Sequence, residues 1–306
     1  MSEKLALKSG IVAIVGRSNT GKSTLMNHLV GEKVAIVSAT PQTTRTQIRA
    51  ILNEKRGQIV FLDTPGMHIC RHALDRAMIV SIQDALMGAD VVLHLVDMTR
   101  RVGQEEISVI KNLSKVKAPI ILGLNKTDKG FAREQEYILA WEKNGGLKSS
   151  TVIKRVFPLR LSALTGFNVD CLLDELFQRL PIGDPLYPDD VLTDFPRQLA
   201  IQDMIREKLL GYLKEEIPFS IAVLAEEIID RNPKLMVVNA VIFVERSSQK
   251  AIVIGHRGEL LKKAGQAARH EIEEVYGKKV YLDLWVKVEA KWKQDHQLLR
   301  RIGYVM

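Results

Sequence analysis

Cysteine is nearly absent. The 306 residues contain only Cys70 and Cys171, far apart and in no CxxC arrangement, which excludes a disulfide scaffold or a cysteine-built zinc site and fits a reducing compartment. Long apolar runs are missing too, none approaching the ~18 uninterrupted residues of a membrane span. The opening MSEKLALKSG has neither an apolar signal core nor an Arg- and Ser-rich transit pattern, so the cytoplasm is the expected location. Low-complexity segments are also lacking. With 46% hydrophobic and 26% charged residues the composition is that of an ordinary globular protein, and the length makes two domains the starting expectation.

Net charge is +8, unevenly spread. Residues 184 to 245 carry 6 Lys and Arg against 12 acidic residues, whereas 246 to 306 carry 13 against 7. A basic end beside an acidic stretch suggests an anion-binding face, though charge alone fits solvated helix surface equally well.

Apolar, β-branched runs recur at 10–16, 58–62, 91–96, 120–124 and 156–161, with helical stretches such as 22–30, 74–87 and 105–113 between them. Strand alternating with helix predicts an α/β domain with a mainly parallel sheet. The pattern stops in PIGDPLYPDDVLTDFP, whose four prolines mark a turn-rich boundary. A domain over 1–183, a linker over 184–196 and an α+β domain over 197–306 follow. The second is expected to hold helices at 197–215 and 259–276, extended segments at 219–229, 235–245 and 278–288, and a GHRG turn.

Gly16-Arg17-Ser18-Asn19-Thr20-Gly21-Lys22-Ser23 fits G-x-x-x-x-G-K-[ST] after a strand and before a helix. Such a loop turns backbone N–H groups toward phosphates, places Lys22 on the β- and γ-phosphates and offers Ser23 to Mg²⁺. Asn125-Lys126-Thr127-Asp128 follows an apolar run, at the strand end where open α/β sheets bind ligands. An Asp carboxylate there accepts from guanine N1–H and N2–H₂, a donor pair that adenine lacks. Ser162-Ala163-Leu164 after the last run is expected to give backbone N–H to guanine O6. GTP or GDP with Mg²⁺ is therefore the expected ligand, and a plain P-loop ATPase or kinase is disfavoured.

Asp63-Thr64-Pro65-Gly66 after the second run is expected to hold Mg²⁺ through Asp63 and sense the γ-phosphate through Gly66. Gln42-Thr43-Thr44-Arg45-Thr46 supplies a metal-binding threonine, assigned to Thr44 with Thr43 as the alternative. Both segments are expected to be ordered by γ-phosphate and Mg²⁺ and released on hydrolysis. Met67 stands where Ras-like enzymes carry the glutamine that orients the attacking water, so turnover should be slow unless assisted; His68 beside it reads as incidental.

Gly255-His256-Arg257-Gly258, with Lys262, Lys263 and Arg269 after it, suits close approach of an RNA backbone, although alone it reads equally as a helix-joining turn. The succession GRSNTGKST, SATPQTTRTQI, DTPGMH, NKTD, SAL, TDFPRQLAIQDMIREKLL, EEIPFSIAV, VERSSQK, IVIGHRG, KKVYLDLWVKV and RIGY resembles the Era GTPase family over essentially the whole chain. The resemblance implies an α/β P-loop GTPase domain followed by a type II KH domain, with 247–254 a short helix where periodicity alone suggests a strand. It implies binding of the 3′ end of 16S rRNA by the GTP form, a role in 30S ribosomal subunit biogenesis, and potassium-assisted hydrolysis through Asn19. Ser18, Thr20, Ile69, Cys70 and His256 depart from the usual family residues. A monomer is expected. A second reading is peripheral association with the inner face of the cell membrane through the basic KVEAKWKQ segment.

Overall fold

The buried runs become a sheet in the computed structural model, which describes residues 7–38, 43–66, 73–130, 132–145, 156–213 and 217–304. The first half runs β1 (Lys8–Val15), α1 (Lys22–Val30), β2 (Ile48–Glu54), β3 (Gly57–Asp63), α2 (Ala73–Met87), β4 (Val91–Asp97), α3 (Gln104–Leu113), β5 (Ile120–Asn125), α4 (Glu134–Asn144), β6 (Val156–Arg160) and α5 (Val169–Arg179). Strand order is β2-β3-β1-β4-β5-β6. Every pairing is parallel except β2 with β3. Strands β3, β4 and β5 are buried along their whole length, because a parallel sheet covered on both faces asks for unbroken apolar runs rather than alternation. Edge strand β2 lacks such a run, since its IRAILNE sequence is partly exposed.

The proline-rich connection lies against that edge. Ile51 N–H donates to Leu192 O at 2.8 Å, Asn53 Nδ2 to Asp189 O at 2.9 Å and Arg49 to Asp194 at 2.7 Å. Gln58 Oε1 accepts from the N–H groups of Leu186 and Tyr187. The open ladder of an edge strand is thereby blunted by the chain's own connection.

The second compact unit begins its continuous run at Phe195. It contains α6 (Arg197–Tyr212), α7 (Ile217–Ser220), β7 (Ala222–Asn232), β8 (Leu235–Val244), α8 (Ser247–Ile254), α9 (Glu259–Tyr276), β9 (Lys279–Val288) and α10 (His296–Ile302). Strand β8 pairs antiparallel with β7 and parallel with β9. One face of this sheet carries the core: Met236, Val238, Ala240 and Ile242 pack with Ile201, Ile205 and Leu209 of α6 and with Ala264, Ala268 and Ile272 of α9. The small alanines at i, i+4 let α9 lie close to the strands.

Segment 247–254 is a helix despite its β-branched AIVI. Gln249 Oε1 reaches back to accept from the N–H groups of Glu245 at 2.8 Å and Arg246 at 3.0 Å. That side-chain cap satisfies donors that would otherwise be orphaned at a helix start.

Candidate functional site

The nucleotide-facing loops sit at the C-terminal ends of β1, β3, β4, β5 and β6. Between β1 and α1, Gly16 to Gly21 curl with Asn19 in the left-handed region, φ 64°. Lys22 lies buried at the first position of α1, its ammonium donating to the carbonyls of Arg17 at 2.9 Å and Gly16 at 3.3 Å. Burial pulls the Lys22 amine down; Asp63 and Glu106 oppose that.

Ser23, Thr44 and Asp63 converge. Ser23 Oγ donates to Asp63 Oδ2 at 2.6 Å, Thr44 Oγ1 donates to the same oxygen at 3.3 Å, and the two hydroxyls are 3.1 Å apart. Asp63 is wholly buried and, among the described residues, its Oδ1 has no hydrogen-bond partner. Burial pushes its carboxyl up, while Lys22, Ser23 and Thr44 pull the other way. Two hydroxyls and a carboxylate with a spare buried oxygen form a hard-oxygen donor set that fits Mg²⁺. Thr44, and not the neighbouring Thr43, supplies the hydroxyl at this cluster.

Thr64 Oγ1 donates to Ile14 O at 2.9 Å, tying the loop after β3 to β1. Gly66 then passes so close to the phosphate loop that a Cβ there would fall 2.5 Å from Ser18 Oγ and 2.8 Å from Ser18 N. Only glycine permits this approach. Arg45 is buried and Thr46 half-buried beside Thr44. Gln42, Met67, His68, Ile69 and Cys70 lie outside the described residues.

At the base end, Asn125 bridges two loops. Its Nδ2 donates to Thr20 O at 2.7 Å and its Oδ1 accepts from Ala163 N at 2.9 Å. Lys126, at φ 67°, donates to Asn19 O at 2.9 Å and to Asp97 Oδ2 at 2.6 Å. Ser162 Oγ donates to Asp128 Oδ1 at 2.6 Å, fixing the exposed carboxylate. Ser162 and Ala163 are buried, whereas Leu164 points outward, 71% exposed.

Two groups enlarge the site read from the sequence. Asp97 ends β4 and holds Lys126; burial raises its carboxyl, but the bonds from Lys126 and Thr99 outweigh this and keep it below the usual value. An acid closing a buried parallel strand is the signal that marks it. Arg17 turns its guanidinium to α3, 3.1 Å from Glu105 Oε2 and 3.8 Å from buried Glu106 Oε2. Glu106 is itself anchored by His94 Nε2 at 2.9 Å, and Trp141 Nε1 donates to His94 Nδ1 at 3.1 Å, which makes Nε2 the protonated nitrogen. The Arg17 side chain is therefore directed away from its own loop, to α3.

In the second unit the turn between α8 and α9 has Arg257 at φ 48° and Gly258 at φ 81°. A Cβ on Gly258 would meet nothing within 4 Å, so its backbone faces open space. Beside it runs a groove of about 330 Å³ between α9 and β9, lined by Gly258, Leu261, Lys262, Gly265, Arg269 and Leu284 among others. Arg269 Nε is buried there without a hydrogen-bond partner among the described residues. The helical period brings Lys262 and Arg269 to the groove together. Lys263 is exposed but not part of its lining, and His256 and Arg257 are exposed on the turn.

Residues 11–126 match the 50S ribosome-binding GTPase family and residues 216–293 the KH domain family. The chain is 44% identical to GTPase Era of Carboxydothermus hydrogenoformans and 40% identical to GTPase Era of Halothermothrix orenii, in each case over 98% of this chain and 99% of the relative. Among solved structures, Era bound to MgGDPNP and nucleotides 1506–1542 of 16S ribosomal RNA superposes with a TM-score of 0.89 at 36% identity, covering 98% of this chain and all of that one. An Aquifex aeolicus Era variant bound to GDP·AlF4⁻ does so with a TM-score of 0.89 at 37% identity and the same coverage. The chain belongs to the Era GTPase family.

Proposed function

We propose that this GTPase couples the γ-phosphate at Lys22, Ser23, Thr44 and Asp63 to binding of the 3′ end of 16S rRNA in the α9–β9 groove, and so acts in assembly of the 30S subunit. The convergence of Ser23, Thr44 and the half-satisfied Asp63 on one buried point carries the nucleotide half of this reading. Those three residues would hold Mg²⁺, which when bound neutralises charge on the β- and γ-phosphate oxygens. Lys22 would bind the same oxygens, and the N–H groups of 16–21 would cradle them. Asp128, oriented by Ser162, would select guanine, while Asn125 and Lys126 hold the base loop to the phosphate loop.

The rRNA half rests on the groove chemistry. Gly258 lets a nucleotide backbone approach, Lys262 and Arg269 would meet its phosphates, and Leu261 and Leu284 give bases an apolar wall. In the related Era structure the bound RNA is 16S nucleotides 1506–1542.

Slow hydrolysis without a water-orienting glutamine, and a potassium ion beside Asn19, belong to the same proposal; comparing turnover in potassium and sodium tests the second. Among the described residues no helix is long and apolar enough to cross a membrane. Binding to anionic vesicles would favour the membrane-surface reading instead. The deciding experiment measures affinity for an oligonucleotide of the rRNA 3′ tail with GTP analogue, GDP or no nucleotide. Tighter binding with the analogue is expected, and equal affinity in all three states would overturn the coupling.

A further inference from the structure

The sheet of the second unit has a face that α6 and α9 do not cover. Alternation along β8 makes this plain: Met236, Val238, Ala240 and Ile242 are buried, while Val237, Asn239 and Val241 are half-exposed. The strand register extends the exposed set into three rungs. Ile229, Val237 and Tyr281 form one, Glu227, Asn239 and Asp283 the next, and Val241 and Trp285 the third, whose β7 member, Leu224, is buried. Tyr281 is 62% and Trp285 67% exposed. Four residues of strand separate them, roughly 13 Å.

Two side-chain bonds fix this surface. Trp285 Nε1 donates to Asp283 Oδ2 at 3.0 Å and Asn239 Nδ2 donates to Glu227 Oε2 at 2.7 Å. The aromatic pair thus brackets a rung of two carboxylates. Neither Glu227 nor Asp283 is ion-paired among the described residues, whereas the flanking Lys279 and Lys287 face Glu273 at 3.7 Å and Glu289 at 3.2 Å. At the middle rung the uncompensated charge is negative.

We propose that this face docks a basic protein segment, one that lays aliphatic side chains against Tyr281 and Trp285 and sets a Lys or Arg over Glu227 and Asp283. Exposed Trp and Tyr are the residue types that anchor interfaces, since each buries a large area at small entropic cost. A cation at the acidic rung gains both carboxylates. RNA is the other class to which uncovered sheet faces with aromatics bind. The acidic rung repels its phosphates, and the basic groove lies on the opposite side of β9, where Leu284 points. This surface therefore goes beyond the rRNA reading and stands without it.

The test uses the full chain and three labelled probes: a peptide alternating Lys with Leu, its Glu-for-Lys counterpart, and decauridine. Binding is read by anisotropy and by Trp emission, for which Trp285 reports because Trp141 and Trp292 are buried. The basic peptide should bind and shift emission to shorter wavelength. Trp285→Ala and Asp283→Lys should each weaken it by about tenfold or more, as the acidic peptide is weaker on the native chain. Decauridine affinity should be the same with Trp285→Ala. A Glu227→Gln, Asp283→Asn double variant keeps the apolar surface and should lose selectivity between the two peptides. Equal affinity for both peptides on the native chain, indifference of the basic peptide to Trp285→Ala, no binding of it at millimolar concentration, or loss of decauridine binding in Trp285→Ala would each overturn the proposal.

Discussion

The Asn125 side-chain amide donates to the main-chain carbonyl of Thr20 at 2.7 Å, so a residue of the base-recognition motif holds the phosphate loop from across the site. Its oxygen accepts from Ala163 N at the same time, and one buried amide thus joins three segments separated by up to 143 positions in the chain. Asn125→Ala removes both bonds and leaves the Ala163 N–H without its acceptor. About 2 kcal/mol is expected for such a loss, which lowers GTP and GDP affinity alike by roughly thirtyfold. Titration with both nucleotides checks this; a loss confined to GTP would mean Asn125 acts on the γ-phosphate instead.

Asp128 receives the Ser162 hydroxyl on one oxygen. Replacement of Asp128 by Asn reverses the donor–acceptor pattern offered to the base, and preference should move from guanine to xanthine nucleotides. Competition between GTP and xanthosine triphosphate measures it. An unchanged preference for guanine would show that the base pocket is elsewhere.

The side chains of Arg17 and Lys22 leave the same loop in opposite roles. Arg17 faces Glu105 and Glu106, whereas Lys22 is buried beside Asp63. Arg17→Ala should therefore lower GTP affinity by less than about tenfold, and Lys22→Ala by more than about a hundredfold. Equal losses would place the Arg17 guanidinium on phosphate.

Much of this is legible in the sequence. The runs around β3, β4 and β5 are buried throughout, so hydrophobicity alone locates them, and GRSNTGKS, DTPG, NKTD and SAL stand at the ends of β1, β3, β5 and β6. What escaped depends on distance in the chain. Nothing local says that Arg17 turns to Glu106, or that Lys126 takes Asp97 as partner, because those pairs are set by how strands are ordered. Segment 247–254 was legible only through the family resemblance, which implies a helix: its β-branched AIVI by periodicity favours a strand, and the bonds of Gln249 decide for helix. Likewise, Lys263 looks equivalent to Lys262 in sequence but falls off the groove by one helical step.

That difference is measurable. Lys262→Ala and Arg269→Ala should each weaken binding of an rRNA-tail oligonucleotide and reduce the salt slope by about 0.7, the value for one lost phosphate contact on a single strand. Lys263→Ala should change the slope by much less. Three identical slopes would mean that the groove does not direct the RNA.

Asp63 carries a prediction of sign. Its carboxyl is raised by burial, so the folded chain holds the proton to higher pH than the unfolded chain, whose ordinary value is 3.8. Between those two values the native state binds more protons, and stability falls as pH rises through the folded value. The contribution is thus greatest below the unfolded value and is lost as pH rises through the folded value, above which the buried carboxylate is charged and, among the described residues, its Oδ1 is unpaired. A bound divalent cation reverses that penalty by pairing the charge. Asp63→Asn should then raise the melting temperature of the protein in chelator by a few degrees at pH 8 and leave it unchanged at low pH. The same variant should lose the additional stabilisation that Mg²⁺ gives over GTP alone. Calorimetric scans in chelator and in Mg²⁺, with and without GTP, separate the two effects. A variant less stable in chelator at pH 8, yet still stabilised by Mg²⁺, would show that the carboxylate supports the fold and leaves the metal to other groups.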